Sequence, residues 1–276
     1  MAKPHESPGR FREITGAGNA LLKVFRRALA EGATREGLLA VEGPFLVEEA
    51  LNTAPRAVVH SVLVADNTVE RFRGLLARLP RESEVAQVSE RLFRQAAQTE
   101  SPQGIAALVE LHRENLETLL AGRDALLLVA CGLQDPGNLG TMIRSAQALG
   151  ASGLITLEGT VSPYNPKAVR ASAGAVFHLP IVANEKAEPL FRQMREAGVR
   201  IVAADRHSPA PLADADLGGS LAILVGQEAA GLPPAISRQA NLLLSIPIRE
   251  GMNSLNAAVA ASIFLYEAAR QRGFSH

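Results

Sequence analysis

From residue 125 onward the chain carries a series of short aliphatic runs, at 126–131, 154–157, 177–182, 199–204, 221–225 and 242–248. None alternates apolar with polar residues, so none reads as a strand with one wet face. Strands buried on both faces belong to a parallel sheet covered by helices, and this requirement constrains the fold more than any other feature. Helices to cover such a sheet are predicted at 139–149, 166–173, 188–197 and 234–239.

The last run opens a longer stretch, 242–270. Pro247 breaks the strand, a loop follows at 249–253, and Asn253 or Ser254 is predicted to cap a C-terminal helix. Leu255, Val259, Ile263 and Tyr266 recur at helical spacing and predict its buried face. Ala257, Ala258, Ala260, Ala261 and Ser262 leave room for something to pack very closely against it.

The first part of the chain has a different rhythm. Residues 1–18, with Pro4, Pro8, Gly9, Gly16 and Gly18, read as loosely ordered. An amphipathic helix is predicted at 19–31, with Leu21, Leu22, Phe25 and Leu29 inward and Lys23, Arg26 and Arg27 outward. Strands at 38–41, 58–65, 84–88 and 105–111 alternate with helices at 45–51, 69–79 and 90–98. Together they make a small α/β domain over 1–115. The charged stretch after it predicts a linker at 116–124, and 125–276 is the second domain.

Composition narrows the function. No apolar run reaches the roughly 18 residues that span a bilayer, and the N-terminus has no apolar signal core. One cysteine, Cys131, excludes an internal disulfide and suits a cytoplasmic setting. Net charge is zero, but residues 1–35 hold seven Lys/Arg (Lys3, Arg10, Arg12, Lys23, Arg26, Arg27, Arg35) against three Glu, where an RNA phosphate footprint can begin. The first long strand runs into Cys131-Gly132-Leu133-Gln134-Asp135, not a dinucleotide-binding G-x-G-x-x-G. No phosphate-binding G-x-x-x-x-G-K-[ST], no zinc-ligand cluster and no G-x-S-x-G elbow is present. His60, His112, His178 and His207 have no ligand spacing and read as structural, and no metal is expected. Cys131 reads as a core residue.

Three loops carry the candidate chemistry. In Asn138-Leu139-Gly140-Thr141-Met142-Ile143-Arg144, Asn138 is predicted to cap a helix, Gly140 lets another group approach its first turn, and Arg144 is placed to hold a phosphate. Leu224-Val225-Gly226-Gln227-Glu228-Ala229-Ala230-Gly231-Leu232 leaves a buried strand and puts a carboxylate where open α/β sheets bind ligands. The third loop is the start of the last helix, with Ser254 and Asn256.

In this order the loops resemble the N-L-G-x-x-x-R, G-x-E-x-x-G-L and I-P-I-x-x-G-x-x-S-L-N-A-A-V-A motifs of the SpoU (TrmH) family of RNA ribose 2′-O-methyltransferases, in the SPOUT superfamily. Residues 162–175 are similar to a further segment of that family. Residues 1–115 more loosely resemble its L30e-like RNA-binding domain, through Val41-Glu42-Gly43 and 99–104. One departure is Ala229, where the family often has glycine.

The resemblance implies an α/β fold whose C-terminal segment is threaded into a deep trefoil knot, and S-adenosylmethionine held mostly by backbone groups. The implied cofactor residues are Leu224, Val225, Gly226, Gln227, Gly231, Ile246, Ile248, Met252, Ser254 and Leu255. Arg144 would position the nucleotide and stabilise developing charge, since a neutral guanidine is costly. Asn138, Glu228, Ser254 and Asn256 would complete the site. Lys23, Arg26, Lys167 and Arg170 are candidate RNA contacts. Family members are homodimers, so Arg144 would serve its own site or the partner's. The implied activity is ribose 2′-O-methylation of structured RNA, with 23S rRNA first. The alternatives are a tRNA substrate or a non-catalytic ribosome-assembly protein of the same fold.

Overall fold

The computed structural model describes residues 11–228, 230–249 and 251–274, and divides into two compact units between His112 and Arg113. Ala229, like Lys3 and Arg10 of the basic segment, lies outside the described residues.

The first unit runs β1 (Phe11–Ile14), α1 (Ala20–Glu31), β2 (Leu39–Glu42), α2 (Pro44–Asn52), β3 (Ala57–Ala65), α3 (Arg73–Ala77), β4 (Glu84–Val88), α4 (Glu90–Ala96) and β5 (Ile105–Leu111). Its sheet has the order β1-β4-β3-β5-β2, parallel at β1/β4 and β3/β4 and antiparallel at β3/β5 and β2/β5. Residues 11–14, expected to be loosely ordered, instead add an edge strand to β4. The helix expected over 69–79 shortens to Arg73–Ala77. Helix α1 starts where the Asn19 carboxamide accepts Leu21 N–H at 2.9 Å, and it ends at Gly32, whose φ of +98° suits only glycine. It buries Leu22, Phe25, Ala28 and Leu29 against α4 and one face of the sheet.

The second unit runs α5 (Leu116–Leu120), β6 (Leu126–Ala130), α6 (Pro136–Ala148), β7 (Gly153–Leu157), α7 (Pro166–Ala171), α8 (Ala175–His178), β8 (Ile181–Glu185), α9 (Ala187–Glu196), β9 (Arg200–Ala204), β10 (Leu221–Val225), α10 (Pro234–Ser237), β11 (Leu242–Leu244) and α11 (Ala257–Gln271). Its strands are all parallel, in the order β11-β9-β10-β6-β7-β8, and every residue of β6, β7 and β10 is buried. That is the doubly covered sheet its unalternating runs require.

Four expectations are corrected here. The stretch 116–124 is not a bare linker: α5 drives Leu116, Leu119 and Leu120 into the core of the second unit. The strand expected at 177–182 begins only after Pro180, because Gly174 at φ +83° opens the short helix α8, which takes Phe177. The strand expected at 242–248 stops at Leu244; Ser245 N–H then bonds the Ala210 carbonyl instead of extending the β9 pairing.

The fourth concerns α11. Its buried face is Ala257, Ala258, Ala261, Phe264, Leu265, Ala268 and Ala269, while Val259 and Tyr266 are 46% and 52% exposed and Ile263 is half-buried. The small residues win the inner face because they let α11 lie close to α6, where Ser262 Oγ meets Ser145 Oγ at 2.7 Å.

Candidate active site

The carboxyl ends of β6, β9, β10 and β11 set the site. After β6 the chain reaches Asp135, whose Oδ1 accepts Asn138 N–H at 2.8 Å and caps α6, with Pro136 as its first residue. Asp135, not Asn138, is therefore the cap. This frees the Asn138 carboxamide, one turn on, to reach other loops. Gly140 is buried against α7: a Cβ there would lie 2.6 Å from Ala171 Cβ and closer still to the Ala168 carbonyl. The approach foreseen at this glycine is the α6–α7 crossing.

The loop after β10 folds back on itself. Gln227 and Gly231 exchange backbone hydrogen bonds of 3.2 and 2.9 Å, and a Cβ on Gly226 would run into the Gly231 backbone. Gly231 takes φ +65°. The Gln227 amide donates to the Gly132 carbonyl at 2.8 Å, tying this loop to the one after β6.

The third loop ends at Asn256, which caps α11 in place of the expected Asn253 or Ser254; its Oδ1 accepts Ala258 N–H at 2.9 Å. Its amide donates to Asn138 Oδ1 at 2.8 Å and to Glu228 Oε1. Glu228 Oε1 also accepts from Asn138 Nδ2 at 2.9 Å and from Ala257 N–H at 3.3 Å. One residue from each loop thus meets in a single hydrogen-bonded cluster.

Beside it lies a cleft of about 420 Å³, at the strand ends where open parallel sheets bind ligands. Of the residues expected to hold a cofactor, Val225, Gly226, Gln227, Gly231, Ile246, Ile248, Ser254 and Leu255 line it, as does Glu228. Leu224 lies in the core behind the cleft, and Met252 is 63% exposed outside its lining. Asp205, Arg206, His207, Pro234, Ser237 and Arg238 also line it and were missed. The end of β9, next to β10 in the sheet, was the available signal for the first three. His207, read as structural, is instead at the cleft, where its Nε2 accepts from Arg206 Nε at 2.9 Å.

Arg144 is exposed on α6 beside Thr141 and is not part of the cleft lining. Lys167 and Arg170 are exposed on α7; in the first unit Lys23 is exposed and Arg26 half-buried. Burial pushes the Cys131 thiol up to about 12, so it stays protonated in the core. Among the described residues no cluster of three metal-ligating side chains occurs, and no helix is long and apolar enough to cross a membrane.

Residues 125–266 match the model of the SpoU rRNA methylase family, just over half of the chain. The chain belongs to that family. Residues 28–107 match an MRM3-like substrate binding domain. Among relatives of this SpoU chain, the 23S rRNA (guanosine(2553)-2′-O)-methyltransferase RlmP of Bacillus subtilis is 33% identical over 93% of this chain and 98% of its own length. Two solved structures with AdoMet bound are similar throughout. One is an rRNA methyltransferase from Sinorhizobium meliloti, with TM-score 0.82, 31% identity and coverage of 95% and 98% of the two chains. The other is the SpoU methyltransferase AviRb from Streptomyces viridochromogenes, with TM-score 0.82, 30% identity and coverage of 94% and 100%.

Proposed function

We propose that this SpoU-family chain transfers a methyl group from S-adenosylmethionine to a ribose 2′-oxygen of 23S rRNA. The observation that carries the reading is the Asn138–Glu228–Asn256 cluster, which gathers the three family motifs at the rim of one cleft. The lining fits the cofactor: Val225, Ile246, Ile248 and Leu255 would hold its apolar parts, and backbone groups of Gly226, Gln227, Gly231, Ser254 and Leu255 would offer it hydrogen bonds.

The cofactor supplies an electrophilic methyl on a sulfonium. What remains for the protein is to hold the ribose in line and help its hydroxyl lose a proton. Glu228 Oε1 is occupied by donors from three residues, which makes the carboxylate an organiser of the loops. Arg144 is the residue for the nucleotide: its guanidinium, on an exposed face of α6, grips the phosphate beside the target ribose and stabilises charge growing on the 2′-oxygen. The proton leaves to water or a neighbouring group. Lys167 and Arg170 add phosphate contacts from the exposed face of α7, and Lys23 and Arg26 do so from the first unit.

The working form is a cytoplasmic homodimer. The outer face of α11, with Val259, Ile263 and Tyr266, supplies an apolar patch for a second copy, and the position of Arg144 outside the cleft lining fits service to the partner's site.

The test is methyl incorporation into unmodified 23S rRNA, with tRNA as the parallel substrate. Incorporation into rRNA that disappears in Arg144→Ala, with S-adenosylmethionine still bound, supports the reading. Incorporation only into tRNA moves the substrate. RNA binding without cofactor binding leaves an assembly factor of the same fold.

A further inference from the structure

We propose that Arg206 is the positioning residue that braces the segment between β11 and α11 across the cofactor cleft. This rests on the cleft being the cofactor site. Among its described residues the segment has no helix or strand from 246 to 255, yet it must present Ile246, Ile248, Ser254 and Leu255 to the cleft and deliver Asn256 to Asn138 and Glu228. Among the described residues of 246–255, inside the anchors at Ser245 and Asn256, one hydrogen bond ties the segment to another part of the chain: Arg206 Nη1 donates to the Asn253 carbonyl at 2.9 Å. Its own Met252 N–H to Arg249 carbonyl bond, 3.2 Å, is local.

Arg206 is itself held in place. It lies two residues past the end of β9, on a turn where Asp205 Oδ1 accepts His207 N–H at 2.9 Å and Asp205 N–H bonds the Leu244 carbonyl at 2.9 Å. Its Nε donates to His207 Nε2 at 2.9 Å, so the guanidinium is oriented from one side and grips the loop from the other. Planar, with several donors at fixed angles, it suits two acceptors at once; a lysine keeps the charge and one grip but not both. Asn253 is three residues from Asn256, so the brace sets where the α11 cap enters the cluster. None of the three family motifs includes Arg206.

Arg206→Ala and Arg206→Lys test this in the full-length protein. The first readout needs no activity: hydrogen–deuterium exchange of the cofactor-free protein. Arg206→Ala is expected to speed exchange in 246–255 by roughly tenfold, the effect of losing one charge-assisted hydrogen bond, and to leave β9 and β10 unchanged. S-adenosylmethionine Kd, measured by calorimetry, rises by a similar factor and kcat falls, while the KM for RNA stays within about twofold; Arg206→Lys recovers part of both. Unchanged exchange in 246–255 together with unchanged cofactor affinity overturns the proposal. So does a global rise in exchange with a fall in Tm that Arg206→Lys does not relieve. If the parent binds S-adenosylmethionine but methylates no RNA, the proposed substrate fails while the exchange and Kd readouts still judge the brace.

Discussion

Asn256, at the cap of the last helix, donates a 2.8 Å hydrogen bond to the Oδ1 of Asn138, 118 residues earlier in the chain. Each residue also does local work: Asn256 Oδ1 caps α11, and Asn138 N–H completes the Asp135 cap of α6. Both amides converge on Glu228 Oε1. Two helix starts and one strand-end loop are thereby locked in a single geometry.

Asn256→Ala removes a helix cap and two links of the cluster. The cap alone is worth about 1 kcal/mol of stability. Misplacing the two loops should cost about 100-fold in kcat/KM for methyl transfer, the scale on which small errors of orientation act. Asn256→Asp keeps a cap but sets a second carboxylate against Glu228; it should retain stability better than Asn256→Ala and recover no activity. Thermal melts and single-turnover methylation check both.

Gly140→Ala should destabilise the second unit by about 1–3 kcal/mol, because the added Cβ meets Ala171 and the Ala168 carbonyl, and neither helix can move alone. Gly122→Ala in the same unit is the control: its φ is not left-handed, and a Cβ there makes only ordinary contacts, 3.6 Å from Ala125 Cβ. Denaturant titration should rank Gly140→Ala as the weaker protein.

How much of this was legible beforehand differs by element. The bounds expected for β4, β5 and β10 match the structure residue for residue, helped where a small or turn-forming residue marks an end: Gly104 before β5, Ser220 and Gly226 around β10. Asn138, Glu228 and Asn256 are assigned to one site only through the family motifs; the hydrogen bonds that join them leave no local pattern, since one of them spans 118 residues. The inner face of α11 was misread for a physical reason. Helical spacing favours the large residues Val259, Ile263 and Tyr266, but at a close helix crossing small residues gain more contact, so alanines took the inside. Arg206 and His207 carried no motif at all; only their place after β9 marks them.

Within the first unit, Glu42 is a nearly buried carboxylate whose oxygens accept Gln98 N–H at 2.8 Å and the Thr99 hydroxyl. It joins the two segments, 41–43 and 99–104, that carry the resemblance there. Glu42→Ala leaves those donors without their acceptor and should cost about 1–3 kcal/mol. Exchange should rise in 98–104, and methyl transfer should weaken through RNA KM while S-adenosylmethionine Kd is unchanged. An unchanged KM for RNA would detach this loop from substrate binding.

Cys131 should be inert to thiol reagents in the native protein and react fully once unfolded. Burial holds its pKa near 12, whereas the unfolded thiol ionises near its ordinary value of 9. The folded state therefore keeps a proton that the unfolded state loses, and this contribution to stability is present below pH 9 and declines as pH rises from 9 towards 12. Cys131→Ser should flatten that alkaline slope, which melts between pH 8 and 10.5 measure.

Subunit complementation tests the partner-site role of Arg144. Arg144→Ala and Asn256→Ala are each expected to be inactive. In a mixed dimer whose arginine acts across the interface, one site keeps both an intact Asn256 and an intact Arg144, so random mixing should restore about a quarter of the parental activity. An arginine acting within its own chain restores none. Val259→Asp puts a charge on the exposed apolar face of α11 and should give a monomer by sedimentation. Introduced into both variants, it should abolish the recovery. No recovery in the mixture that lacks Val259→Asp would place Arg144 back in its own subunit.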